Sequence, residues 1–171
     1  MTDTTNRGTS VVGTLRAIDG ARGAIRMEDT FDTDIDDLWS ALTNRERLAR
    51  WIASVDGDLS VGSRIHARFT SSSEGSGRID VCDGPGRLMV TMEPGTAAET
   101  VIEALLTPVG EQTRLVIEER GRALDKLADH GAGWQAHVED LAAHLAGLEP
   151  GDWQARWIEL TPTYQGFARS L

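Results

Sequence analysis

The sequence contains one cysteine, Cys82, in 171 residues. A lone thiol excludes an internal disulfide framework and any multi-cysteine metal site, and its expected role is that of a small buried hydrophobe. Lysine is equally scarce: Lys126 is the one lysine among 17 basic residues, which face 27 acidic ones for a formal charge of -10. Such a field repels phosphate backbones, so no nucleic-acid partner is expected. No apolar run approaches the ~20 residues that cross a bilayer, and no membrane span is expected. The opening MTDTTNRGTS has neither an apolar h-region nor a cleavage site, which makes cytoplasmic the expected localisation. The four histidines form no H-x3-H pair, so no metal site is expected. Gly75-Ser76-Gly77 and Gly131-Ala132-Gly133 do not sit between a strand and a helix as phosphate-binding loops do, and no G-x-S-x-G elbow occurs. No cofactor is expected.

What remains is an ordinary globular composition, 40% hydrophobic and 26% charged, in a chain long enough for one domain that buries roughly 70% of its unfolded surface. Val11 to Ile18 and Gly23 to Phe31 read as strands joined by a turn at Asp19-Gly20. Ile35, Leu38, Trp39 and Leu42 recur at helical spacing, with Thr33 and Asp36 spaced as an N-terminal capping box. Asn44 is placed to cap a second short helix ending near Trp51 and Ile52. From Gly57 to Glu119, runs rich in Val, Ile, Thr and Leu alternate with turn clusters, which predicts antiparallel strands over 64–70, 77–82, 88–93, 100–107 and 113–119. Trp134, Val138, Leu141, Leu145 and Leu148 then form the apolar stripe of a long helix bounded by Gly133 and by Gly147 to Pro150. Residues 152–158 are expected to add one more turn. The domain reading is a flexible N-terminus over 1–10, one domain over 11–160 and a loosely ordered C-terminal tail over 161–171.

The motifs carry a family likeness. Asp36-Asp37-Leu38-Trp39-Ser40-Ala41-Leu42-Thr43-Asn44-Arg45-Glu46-Arg47-Leu48-Ala49-Arg50-Trp51 resembles the "VWxALTDPExLxxW" segment of the activator-of-heat-shock-protein-90-ATPase-like family. Pro85-Gly86-Arg87-Leu88 resembles its "PPxRL" turn, and Thr113-Arg114-Leu115 with Gly133-Trp134 resembles its "GTRL" strand and "GW" helix opening. Two departures stand out: Arg45 replaces the proline of "TDPE", and Glu118-Glu119 stand where many relatives place a histidine. The resemblance implies an α+β helix-grip fold of the START-like (SRPBCC) superfamily, a curved antiparallel β-sheet wrapped around a long C-terminal helix. It also implies a cavity between sheet and helix, of the kind that superfamily members use for lipids, hormones and polyketides.

The candidate walls of that cavity are Trp51, Ile52, Phe69, Ile79, Met92, Leu105, Trp134, His137, Val138 and Leu141, each of a type that more often serves as plain core. Glu103, Glu118 or Glu119 with His66 or His137 could supply an acid and a base if burial moved them toward neutrality. His137, beside the apolar stripe, is the best polar candidate, whereas His130 and His144 look peripheral. Three functions stay open. A small hydrophobic ligand predicts an apolar pocket, a cyclase, aromatase or hydrolase predicts ionisable side chains converging inside it, and a protein partner predicts a closed interior with an exposed apolar patch, for which Trp153 and Trp157 are the candidates.

Overall fold

A computed structural model describes residues 13–171, so Val11, Val12 and the stretch 1–10 lie outside the described residues. Strands β1 (Gly13–Ala17) and β2 (Arg22–Phe31) form the opening hairpin. Asp19 closes its turn by accepting hydrogen bonds from the amides of Ala21 and Arg22, both 2.8 Å. Helix α1 (Ile35–Thr43) is capped by Asp34, which accepts from the Asp37 amide at 2.8 Å, one residue later than the Thr33 box expected from spacing. Thr33 instead donates to the Asp37 carboxylate. Asn44 does cap α2 (Arg45–Trp51), accepting from the Arg47 amide.

The meander contains one strand more than the turn clusters indicate. β3 (Ala53–Asp56) precedes β4 (Arg64–Phe69), β5 (Glu74–Asp83), β6 (Arg87–Met92), β7 (Thr100–Val109) and β8 (Gln112–Ala123). All eight form a single antiparallel sheet in the order β1-β2-β8-β7-β6-β5-β4-β3, so the opening hairpin joins the last strand of the meander. Cys82, expected in the core, is partly exposed on β5. A register shift between Ile79 and Val81 interrupts the alternation of that strand just before it.

Helix α3 (Leu127–Leu145) begins well before Gly133 and packs on β1, β2 and a fourth helix, α4 (Trp153–Ala168). The expected single turn and loose tail are therefore a 16-residue helix. The reason is packing. Leu160 and Tyr164 are fully buried, and the Tyr164 hydroxyl donates to Gln135 Oε1 of α3 at 2.7 Å. The glycines inside α3 permit this approach, since a Cβ on Gly131 would lie 2.5 Å from the Tyr164 ring and one on Gly133 3.1 Å from the Trp153 ring.

If α4 is integral to the core, Tyr164→Ala should destabilise the protein by about 3–5 kcal/mol in urea unfolding. Tyr164→Phe, which removes only the hydroxyl, should cost about 1 kcal/mol.

Candidate functional site

The helices leave part of the concave sheet uncovered. α3 rests on the β1–β2 side, α2 on β3, and α1 on β7 and β8, while the inner faces of β4, β5 and β6 turn toward an unfilled space. One part of it is an apolar chamber of about 110 Å³ walled by residues such as Trp51, Ile79, Val90 and Ala104. Its outer part, about 380 Å³, reaches the surface between the β4–β5 turn and the start of α4. Ile52, Phe69, Met92, Ile102 and Trp134 line both parts, which are therefore neighbours.

The outer part is polar, and a local irregularity in β8 puts the charges there. Thr113, Leu115, Ile117 and Glu119 alternate inward along the strand. Strict alternation would then send Arg122 to the opposite face from Glu119. Between Gly23 and Ala24 of β2, however, the register jumps from Arg122 to Arg120 and leaves Gly121 unpaired, with φ of +101°. This bulge returns Arg122 to the inner face, where it forms an ion pair with Glu119. Glu119 is only 3% exposed, and its other oxygen accepts from Trp134 Nε1 at 2.7 Å.

His137 of α3 lines the same outer part and is 7% exposed. Its Nδ1 lies 3.2 Å from the Trp51 carbonyl and 3.4 Å from Thr70 Oγ1. A carbonyl can only accept, so Nδ1 carries the proton and Nε2 presents a lone pair. Burial lowers the imidazole pKa to about 4, so His137 is neutral near pH 7. The ring sits 5.3 Å from that of Trp153, which stacks on Trp157 at 6.1 Å. His130 also lines the outer cavity, and burial, followed by the charge of Arg122, lowers its pKa. Thr100 belongs to the same wall, with its hydroxyl oxygen buried behind the surface. Among the described residues no three His, Cys, Asp or Glu side chains are grouped as a metal site requires.

The expected walls divide accordingly. Trp51, Ile52, Phe69, Ile79, Met92, Trp134 and His137 line the cavity. Leu105 does not: it is 41% exposed, because Ala104 and Leu106 occupy the inward positions of β7. Val138 and Leu141 are buried in the core cluster rather than on the cavity wall. Of the acid–base candidates, Glu103 and Glu118 lie on the outer face in ion pairs with Arg87, Arg120 and Arg16, and His66 pairs with Glu74. His130, read as peripheral, belongs to the cavity, whereas His144 accepts from Arg47 Nε away from it. Ile102, Thr100 and Arg122 escaped the sequence reading. The phase of β7 would have found the first two, since they share parity with Ala104 and Leu106.

The buried histidine makes stability depend on pH in a defined direction. Between pH 4 and 6.5 the unfolded chain binds a proton that folded His137 refuses, so its contribution raises stability as pH rises, by about 3 kcal/mol across the window. Asp140, whose pKa burial raises to about 6, works oppositely between about pH 4 and 6 because its folded form keeps a proton the unfolded chain releases. His137→Asn isolates the first effect by difference. The expected outcome is an NMR midpoint for the His137 ring near pH 4 and a stability gap between the two proteins that closes or reverses on acidification. A midpoint above pH 6 would contradict this electrostatic picture.

Comparison with solved structures returns the same architecture. The crystal structure of CalU16 from Micromonospora echinospora superposes with a TM-score of 0.74 at 23% identity, covering 92% of this chain and 96% of that one. DynU16, from the dynemicin biosynthetic locus, gives 0.68 at 24% identity over 74% of this chain and 48% of its own. The protein encoded by gene BPP1335 of Bordetella parapertussis gives 0.68 at 24% identity, with 83% and 84% covered. No curated protein matches the chain. These likenesses establish the helix-grip fold. The family model described as activator of Hsp90 ATPase homolog 1-like protein matches residues 32–146, from just before α1 to the end of α3, leaving the opening hairpin and α4 outside. The chain belongs to the family of activator of Hsp90 ATPase homolog 1-like proteins.

Proposed function

We propose that this protein binds a small hydrophobic molecule, lipid-like or aromatic, in the cavity between the sheet and α3. The observation that carries the reading is an apolar chamber lying beside a larger, more polar one, the two sharing Ile52, Phe69, Met92, Ile102 and Trp134 as walls. Native interiors are close-packed, and a void of this size lined by Ile, Leu, Val, Met and Trp loses dispersion contacts that a bound apolar body would restore. Its dimensions suit a ligand of a few fused rings or a short acyl chain.

A role as a protein-interaction module draws less support. That reading expects a closed interior and free tryptophans. Trp153 and Trp157 instead hold α4 in place through hydrogen bonds from their Nε1 atoms to the Gly133 and Asp129 carbonyls, at 3.3 and 2.9 Å. Acid–base catalysis on the bound molecule is the second reading, and one observation favours it. His137 offers an uncharged Nε2 without a protein partner among the described residues, in the same cavity as the Glu119–Arg122 pair. A neutral imidazole held in one tautomer is the form a general base requires.

Native mass spectrometry of gently purified protein, with tryptophan fluorescence during titration with fatty acids, flavonoids and polyketide-like aromatics, tests the binding reading. A copurifying mass or a saturable quench is expected, because Trp51 and Trp134 form part of the cavity wall. Ile102→Phe, which adds bulk where the two chambers meet, should weaken binding by about tenfold or more while leaving the thermal midpoint within a few degrees. A clean apo mass with no response to any class would remove the proposal. If the second reading holds, His137→Gln should keep binding and lose turnover.

A further inference from the structure

The bulge in β8 is a built feature, and it delivers a hydrogen-bond donor to the cavity. Its glycine is required: Gly121 has φ of +101°, and a Cβ there would lie 3.1 Å from the Glu99 carbonyl oxygen. The Gly121 carbonyl accepts from Arg22 Nη1 at 2.6 Å, so the break in the ladder leaves no orphan acceptor there. What the bulge gains is Arg122 on the inner face. Among the described residues it is the one arginine or lysine that lines either part of the cavity.

Neutralising Glu119 occupies one edge of this guanidinium. Nε and Nη2 both donate to Glu119 Oε1. Both N–H groups of Nη1 and the second of Nη2 have no partner among the described residues, and 25% of the side chain is exposed. The unspent donors lie in one plane and form the end-on fork of the group, which fits an oxygen carrying two lone pairs. We infer that the outer part of the cavity contains a subsite for a neutral hydrogen-bond acceptor of the ligand, the carbonyl of a ketone, quinone or ester, seated on the free fork of Arg122. This rests on the cavity reading above.

Placement and charge both select that group. Glu119, which fixes the guanidinium, lies directly across the sheet from Ile102 and accepts from Trp134 Nε1, and both of these neighbours are walls of the apolar and the polar part alike. The fork therefore stands in the polar part close to its boundary with the apolar chamber. An apolar body against those shared walls would present a polar substituent here. The charge of Arg122 is already matched by Glu119, and Glu74, Glu93 and Asp129 line the same part. Burial, followed by the charge of Arg122, lowers the pKa of His130, so that ring adds no second positive charge at pH 7. A carboxylate seated on the fork would lose its hydration without gaining a net counter-charge, whereas a carbonyl gains a charge-assisted hydrogen bond at a much smaller desolvation cost.

The test uses three probes built on one ring system, titrated calorimetrically at pH 7 into the full chain: 2-acetylnaphthalene, 2-isopropenylnaphthalene, which replaces the carbonyl oxygen by a methylene of similar shape, and 2-naphthoate. The ketone should bind about tenfold more tightly than the alkene, the scale of one hydrogen bond from a charged donor, and more tightly than the naphthoate. In infrared spectra of the complex its carbonyl stretch should lie at lower frequency than in a hydrocarbon solvent. The double substitution Glu119→Gln with Arg122→Met removes both charges together, so neither is left buried alone, and the introduced amide oxygen can still accept from Trp134 Nε1. In that variant the alkene should still bind, while the ketone's advantage and the infrared shift should be lost. Arg122→Lys, which keeps a cation beside Glu119 and removes the planar fork, should reduce the same advantage several-fold, and it makes the comparison if the double variant folds poorly. Equal affinity for ketone and alkene on the unsubstituted chain would overturn the subsite and leave the cavity reading standing. Tightest binding of the naphthoate would do the same, as would a ketone advantage that survives the substitutions. Failure of all three probes to bind would overturn both.

Discussion

The architecture follows from a mismatch of areas. Eight strands set about 4.8 Å apart span roughly 34 Å across the sheet. A helix of 19 residues is about 28 Å long but only about 10 Å wide. α3 cannot cover such a sheet, and it settles on the side of β1 and β2. The helices α1 and α2 close another part, and α4 packs beside α3. What none of them reaches, the inner face of β4 to β6, is the cavity. The curvature of the sheet and the size of one helix thus determine where the empty volume must be, before any particular ligand is considered.

A few side chains hold that geometry open. Trp134 of α3 donates to Glu119 of β8, and Glu119 is in turn braced by Arg122, so helix and sheet are tied by a charge-assisted contact at the boundary of the cavity. The tie exists because Gly121 adopts a left-handed conformation that returns Arg122 to the inner face. α4 completes the mouth. Its tryptophans stack over the opening, and the glycines of α3 let the two helices approach closely enough for Trp153 to lie against the His137 ring. Because α4 and the opening hairpin fall outside the matched family segment, the rim contributed by α4 is built by a part of the chain that the family model does not describe.

Much of this was legible in the sequence, and the failures have physical causes. The hairpin, the two short helices and five strands of the meander were readable from turn chemistry and periodicity, because at those places local preference and tertiary packing agree. β3 was not, since Ala53-Ser54-Val55-Asp56 is four residues long and gains its strand conformation from pairing with β4. α4 was underestimated because its sequence has no clear apolar stripe and carries Pro162; only its contact with the glycine-bearing face of α3 buries Leu160 and Tyr164. Within the site, Trp51, Ile52, Phe69, Ile79, Met92, Trp134 and His137 were found, whereas Ile102 and His130 were not. Leu105 was misassigned by a one-residue error in the phase of β7, which exchanges inner and outer faces completely. Arg122 was out of reach, because alternation places it outside and only a bulge brings it in.

Several features of the cavity run against what stability alone would favour. A space of about 380 Å³ is left unfilled, a histidine is held neutral well below its ordinary pKa, an ion pair is withdrawn from solvent and a threonine hydroxyl lacks a partner. Each costs free energy that an aliphatic side chain of similar volume would recover. Elsewhere the core is of the ordinary kind, with Ile25, Leu38, Leu115 and Leu141 closely packed and fully buried. Departures from good packing and polar satisfaction are expected to scatter if they are accidental and to gather in one place if a function maintains them. Here they meet around a single opening, on faces contributed by β7, β8 and α3, three elements whose mutual placement is fixed by the rest of the fold. That convergence is the physical reason to treat this space as a binding site rather than a packing defect.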